Sequence, residues 1–102
     1  MKKQKLKDLD TLIAQAMDDC DTLISELYVY ANPSYGCSID ILDKIKYLKK
    51  SKGELEYYRR IVERTLRGDM LSKIQLDTIG ISKIKKMFNN IIGIKRHIKG
   101  LG

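Results

Sequence analysis

The sequence predicts an all-α protein: a long antiparallel helical hairpin (about 4–30 and 39–67), a short helix, and a basic amphipathic C-terminal helix, gathered into one small bundle. Three observations carry this prediction. Apolar residues recur at alternating threes and fours from Leu6 to Tyr30, and a second stripe runs from Ile41 to Leu66. Between the stripes, the single proline of the chain and a glycine stand three positions apart. A third stripe with heptad spacing, rich in lysine on its other faces, occupies the end of the chain.

The first stripe is Leu6, Leu9, Ile13, Ala16, Cys20, Leu23, Leu27 and Tyr30. Leu12, Met17 and Ile24 widen it, as a helix packed in a bundle requires. Asp8, Asp10, Asp18, Asp19, Asp21 and Glu26 fall on the remaining faces. The pattern stops at Ala31-Asn32-Pro33-Ser34-Tyr35-Gly36-Cys37-Ser38, where Pro33 pushes Asn32 out of helical geometry. Ser38 or Asp40 can cap the next helix.

The second stripe is Ile41, Leu42, Ile45, Leu48, Leu55, Tyr58, Ile61, Val62 and Leu66, and Gly68 follows as a natural stop. Ser51-Lys52-Gly53-Glu54 has the form of a capping box and offers a competing break. The stripe keeps its phase across it, and an interior glycine costs only about 1 kcal/mol, so one long helix is expected.

Antiparallel pairing about the loop sets opposite charges face to face. It places Lys7 against Glu63, Asp10 against Arg59 and Arg60, Asp18 against Lys52, Asp21 against Lys49, and Glu26 against Lys44. Ala14 and Ala16 fall opposite Tyr57 and Tyr58, small against large. Such pairs contribute little energy, but together they define a register.

The last third differs in composition. Residues 69–102 contain seven basic residues and two acidic ones, out of a net charge of +7 for the chain. Asp69 can cap a short helix through Leu76, Asp77 to Ile81 reads as a turn, and Ser82 can cap the final helix. The apolar positions of that helix are Ile84, Met87, Ile91, Ile94, Ile98 and Leu101, with Phe88 and Ile92 alongside. The 102 residues read as a single domain, with the hairpin over 1–68 and a basic segment over 69–102.

Several function classes find no support in these residues. The longest apolar run, Leu27 to Ala31, is far short of the roughly 20 residues a membrane span needs. No signal-peptide core follows Lys2 and Lys3. The single histidine, His97, lies between basic residues, and no Gly-Lys-Ser/Thr phosphate loop, Cys-x-x-Cys or His-Glu-x-x-His occurs. No catalytic residue, metal ligand or cofactor site is therefore expected, and the chain reads as a non-enzyme. Two cysteines cannot make a disulfide scaffold; Cys20 falls in a helical seam and Cys37 in the loop, which suits an intracellular, cytoplasmic setting.

The segment from Leu76 to Phe88 admits two motif resemblances. It resembles a helix-turn-helix, with Gly80-Ile81-Ser82 as the turn, although Lys85 falls where such motifs bury an apolar residue. It also resembles the second half of a helix-hairpin-helix, whose turn offers backbone N–H groups to phosphate. Gly80 and Ile84 suit that pattern, while Asp77 and Thr78 depart from it. A plain helix connection is the simpler alternative.

Backbone phosphates of nucleic acid, DNA or RNA, are the expected partner. The candidate contacts are Lys83, Lys85, Lys86, Lys95, Arg96 and Lys99, supported by Lys2, Lys3, Lys5, Arg64 and Arg67, all gathered at the open pole of the hairpin. The alternative is a protein-interaction module: a homodimer through the seam, or docking on a larger partner through Tyr28, Tyr30 and Tyr35 at the tip. A small viral or mobile-element regulator would suit either. A membrane surface ranks last, because a short chain needs its final apolar face for the core.

Overall fold

The computed structural model describes residues 2–31 and 39–101, with backbone only at Ile39 and Leu101. Four helices follow in order: α1 (Lys3–Tyr30), α2 (Ile39–Leu66), α3 (Met70–Ile79) and α4 (Ile81–Leu101). No strand occurs among the described residues. The expected loop, with Pro33, Cys37, the Ser38 cap and Tyr35, lies outside them, as does the Leu101 side chain.

The α1 seam packs as its periodicity dictates. Leu6, Leu9, Ile13, Ala16, Cys20, Leu23 and Leu27 are all buried, while Tyr30 is half-buried at its end. Across from them α2 buries Ile45, Leu48, Leu55, Tyr58, Ile61 and Val62 in the same core. Leu48, Leu55 and Val62 are seven residues apart and wholly enclosed, so α2 runs unbroken through Gly53. Ser51, the would-be cap, is instead an interior helical residue turned inward. Asp40 lies within the first turn of α2 and binds Lys44 at 2.6 Å.

The helices are antiparallel, but only one of the expected charge pairs forms as drawn. Arg59 Nε donates to Asp10 at 3.1 Å. Asp21 takes Lys52, one turn beyond the expected Lys49, at 2.6 Å. Lys49 reaches the Tyr28 hydroxyl instead, also at 2.6 Å. Lys44 and Glu63 find partners four residues away on their own helix, in Asp40 and Arg59. A long flexible lysine selects among carboxylates over a full turn, and an i,i+4 partner requires less ordering than one on a second helix. Of the residues expected small against large, Ala16 and Tyr58 are both buried in the common core. Tyr57 is half-exposed and tilts against Tyr58 at 5.8 Å.

Asp69 caps α3, accepting from the Leu71 amide at 3.2 Å and the Ser72 hydroxyl at 2.7 Å. These bonds, the Ser72 hydroxyl foremost, hold its carboxyl below the usual carboxylate range. The expected turn over Asp77 to Ile81 contracts to a single residue. α3 continues to Ile79, and Gly80 alone joins it to α4, with φ +81° and ψ 133°. Ser82 consequently lies inside α4 and is not the residue preceding it. With no Cβ, glycine adopts this backbone without strain, so a longer turn is not needed.

From Gly80, α4 returns alongside the hairpin, parallel to α1. Its start, Ile81 and Lys85, lines a groove with Lys5, Asp8, Leu9 and Leu12. In its middle, Phe88, Ile91 and Ile92 line a groove with Leu12, Gln15 and Ala16, and at its end Lys95 and Lys99 line another with Thr22, Leu23 and Glu26. Asn90 donates to the Tyr47 hydroxyl of α2 at 3.0 Å and ties the helix to the other side of the groove. One apolar cluster joins all four helices in a rod of 52 × 19 × 18 Å.

Candidate nucleic-acid interface

The chemistry of α4 follows from which of its faces the core consumes. Ile84, Met87, Ile91 and Ile98 are buried, and Ile94 and Phe88 are half-buried beside them. The opposite face is thereby turned outward. It carries Lys85, Lys86, Asn89, Gly93, Arg96 and His97, all exposed. The helix holds six basic residues and no acidic one. Nothing on it neutralises the outward charge.

α1 partly offsets one flank. Lys95 lies 4.0 Å from Asp19, and Lys99 shares a groove with Glu26. The acids of α1 are therefore divided between α2 and α4, whereas the sequence assigned them to α2. Among the described residues, no carboxylate pairs with Lys83, Lys85, Lys86, Arg96 or Lys99.

The sequence-based expectation of a single basic pole is not how these residues are arranged. Lys2, Lys3, Lys5, Arg64 and Arg67 are exposed where α1 begins and α2 ends, and Lys5 joins Lys85 in one groove. Because α4 runs back along α1, Arg96 and Lys99 are carried toward the opposite end. The basic residues form a stripe along the rod with a concentration at each end.

At that opposite end, Tyr28 is exposed and Tyr30 half-buried, while Tyr35 is outside the described residues. The Lys49 ammonium sits 2.6 Å from the Tyr28 oxygen and 5.3 Å from the ring centroid. It thus lies off the oxygen end of the ring, and the contact is a hydrogen bond rather than a face-on cation–π pair. This tyrosine is partly engaged by its own chain.

Cys20 is fully enclosed, and burial, aided by Asp21 and Asp19, pushes its thiol up to about 11. It stays protonated at neutral pH and serves as a small core residue. No three His, Cys, Asp or Glu side chains among the described residues converge on a point that could hold a metal ion. No helix among them is long and apolar enough to cross a membrane.

One surface escaped the sequence reasoning. On α3, Met70, Leu71 and Ile74 are 65%, 73% and 59% exposed, while Ser72 and Leu76 face the core. A short helix buries one side, and at helical spacing Met70, Leu71 and Ile74 fall opposite Ser72 and Leu76. The Asp69–Ser72 bond fixes Ser72 as the inward side, and that cap-to-serine spacing was the available signal. A scan of protein-family models and searches of curated proteins and of solved structures each found no match to this chain.

Proposed function

We propose that this protein is a small accessory factor that binds nucleic acid through backbone phosphates, with little reading of base edges. The observation that carries the proposal is the division of labour on α4: its apolar stripe is spent in the core, and its outward face is basic without an acid. Lysine and arginine on such a face release counterions from phosphates and need no particular sequence. Lys85, Lys86 and Arg96 are the central contacts. Lys5 and Lys99 extend them, and Lys83, Lys95, Lys2, Lys3, Arg64 and Arg67 supply the surrounding field.

Changing Lys85 and Lys86 together to Ala should weaken binding on every sequence tried and flatten the salt dependence by about two units of slope. Fluorescence anisotropy on a labelled DNA measures both. Lys52→Ala is the control, since its ammonium is held by Asp21, and it should change little. Equal effects of the two variants would refute the assignment.

A protein-interaction module is the second reading, favoured by the outward apolar residues Met70, Leu71 and Ile74. Among the described residues, these leave more apolar surface outward than Tyr28 and Tyr30 do. Full retention of binding in the Lys85/Lys86 variant would shift the weight to this reading.

A further inference from the structure

We infer that the ligand of the α4 face is duplex DNA, engaged across the major groove with one basic cluster on each phosphate rim. This inference rests on the phosphate-binding reading above and goes beyond it in naming the form of the nucleic acid.

The spacing on α4 is the first support. Lys85 and Lys86 form one cluster and Arg96 and Lys99 another, all exposed. Ten helical residues from Lys86 to Arg96 span about 15 Å at the rise of an α-helix. The major groove is about 12 Å wide, so clusters at this separation meet the phosphates on its two sides. Asn89 and Gly93, exposed and uncharged, occupy the interval above the groove itself.

Thickness is the second support. The rod measures 19 × 18 Å across, wider than a groove of about 12 Å. α4 runs along one side of this rod and meets a ligand only by its outward face, where the long arms at its two ends, Lys85 and Lys86 and then Arg96 and Lys99, are the first groups to reach rim phosphates.

The third support is where the aromatic side chains stand. Single strands are held largely by bases stacking on exposed aromatic rings. The one aromatic ring of α4 apart from His97, that of Phe88, is turned into the groove against α1. The exposed rings of Tyr28 and Tyr57 belong to α1 and α2. The α4 face offers charge on a rigid support, with the His97 imidazole as its one outward ring, which suits a stiff ligand with two fixed rails of phosphate.

The test uses the full chain and a labelled mixed-sequence DNA of about 20 base pairs, together with each of its strands alone. In low salt the duplex should bind about tenfold tighter than either strand, with a salt slope near −0.9 per phosphate contacted. Lys85→Ala/Lys86→Ala and Arg96→Ala/Lys99→Ala should each weaken duplex binding to a similar degree, with circular dichroism confirming that both variants stay helical. Single strands binding as tightly as the duplex, with strong salt dependence, would overturn this inference while leaving phosphate binding intact. Loss confined to one of the two variants would overturn the two-rim arrangement. Binding to no form of DNA would overturn this inference together with the proposed function.

Discussion

Leu55→Ala is expected to lower the free energy of unfolding by about 2–5 kcal/mol, the range for emptying an enclosed leucine site. Leu55 has no exposed surface and sits one heptad from both Leu48 and Val62, which are equally enclosed. Its place in the core depends on α2 keeping its phase through Gly53. Because small domains are stable by only about 5–15 kcal/mol in total, the loss should be a large part of the whole. Leu42, 48% exposed on the same helix, is the comparison; its change to Ala should cost less than about 1 kcal/mol. Urea unfolding followed by circular dichroism measures both. Equal, small losses would show that α2 breaks near Ser51 and that Leu55 leaves the core.

Gly80→Ala should cost about 1–3 kcal/mol, although space is available for the added carbon. No heavy atom lies within 4 Å of a Cβ built at Gly80. The cost comes from the backbone, whose φ of +81° is one that residues with side chains rarely adopt. Gly93 separates this effect from the mere loss of a glycine. It is exposed in the middle of α4, has nothing near its Cβ and does not have a positive φ. Gly93→Ala should therefore stabilise by about 0.5–1 kcal/mol. If the two substitutions shift the urea midpoint alike, Gly80 is not the pivot between α3 and α4.

How much of this was legible in the sequence depended on the range of the interaction. Periodic burial was the most legible, because it repeats: Leu6 to Leu27 and Ile45 to Val62 occupy the core as their spacing requires. Cys20 and Ala16 belong to it because position in the seam decides burial, not hydrophobicity alone. Individual charge pairs were poorly legible. Asp10 meets Arg59, but Lys52 settles on Asp21, one turn from the expected Asp18, Lys49 on the Tyr28 hydroxyl, and Lys44 on Asp40 of its own helix. The end of α3 lies later than its composition predicts, because Asp77-Thr78 has the composition of a turn, while Gly80 alone supplies the connection.

The candidate site was legible in its residues and not in its layout. The excess of lysine after residue 82 is plain in the sequence. Its distribution along the rod depends on α4 running parallel to α1, which in turn depends on the angle set at Gly80. Nothing periodic encodes that angle.

The central claim is that the outward charge of α4 is there to meet phosphate, and the salt dependence of DNA binding by the unmodified protein tests it most directly. With Lys85, Lys86, Arg96 and Lys99 each on one phosphate, log K against log[salt] should fall with a slope of about −3 to −4 on duplex DNA. A slope near zero, or binding no tighter than that of an unrelated helical protein with the same net charge of +7, would contradict it.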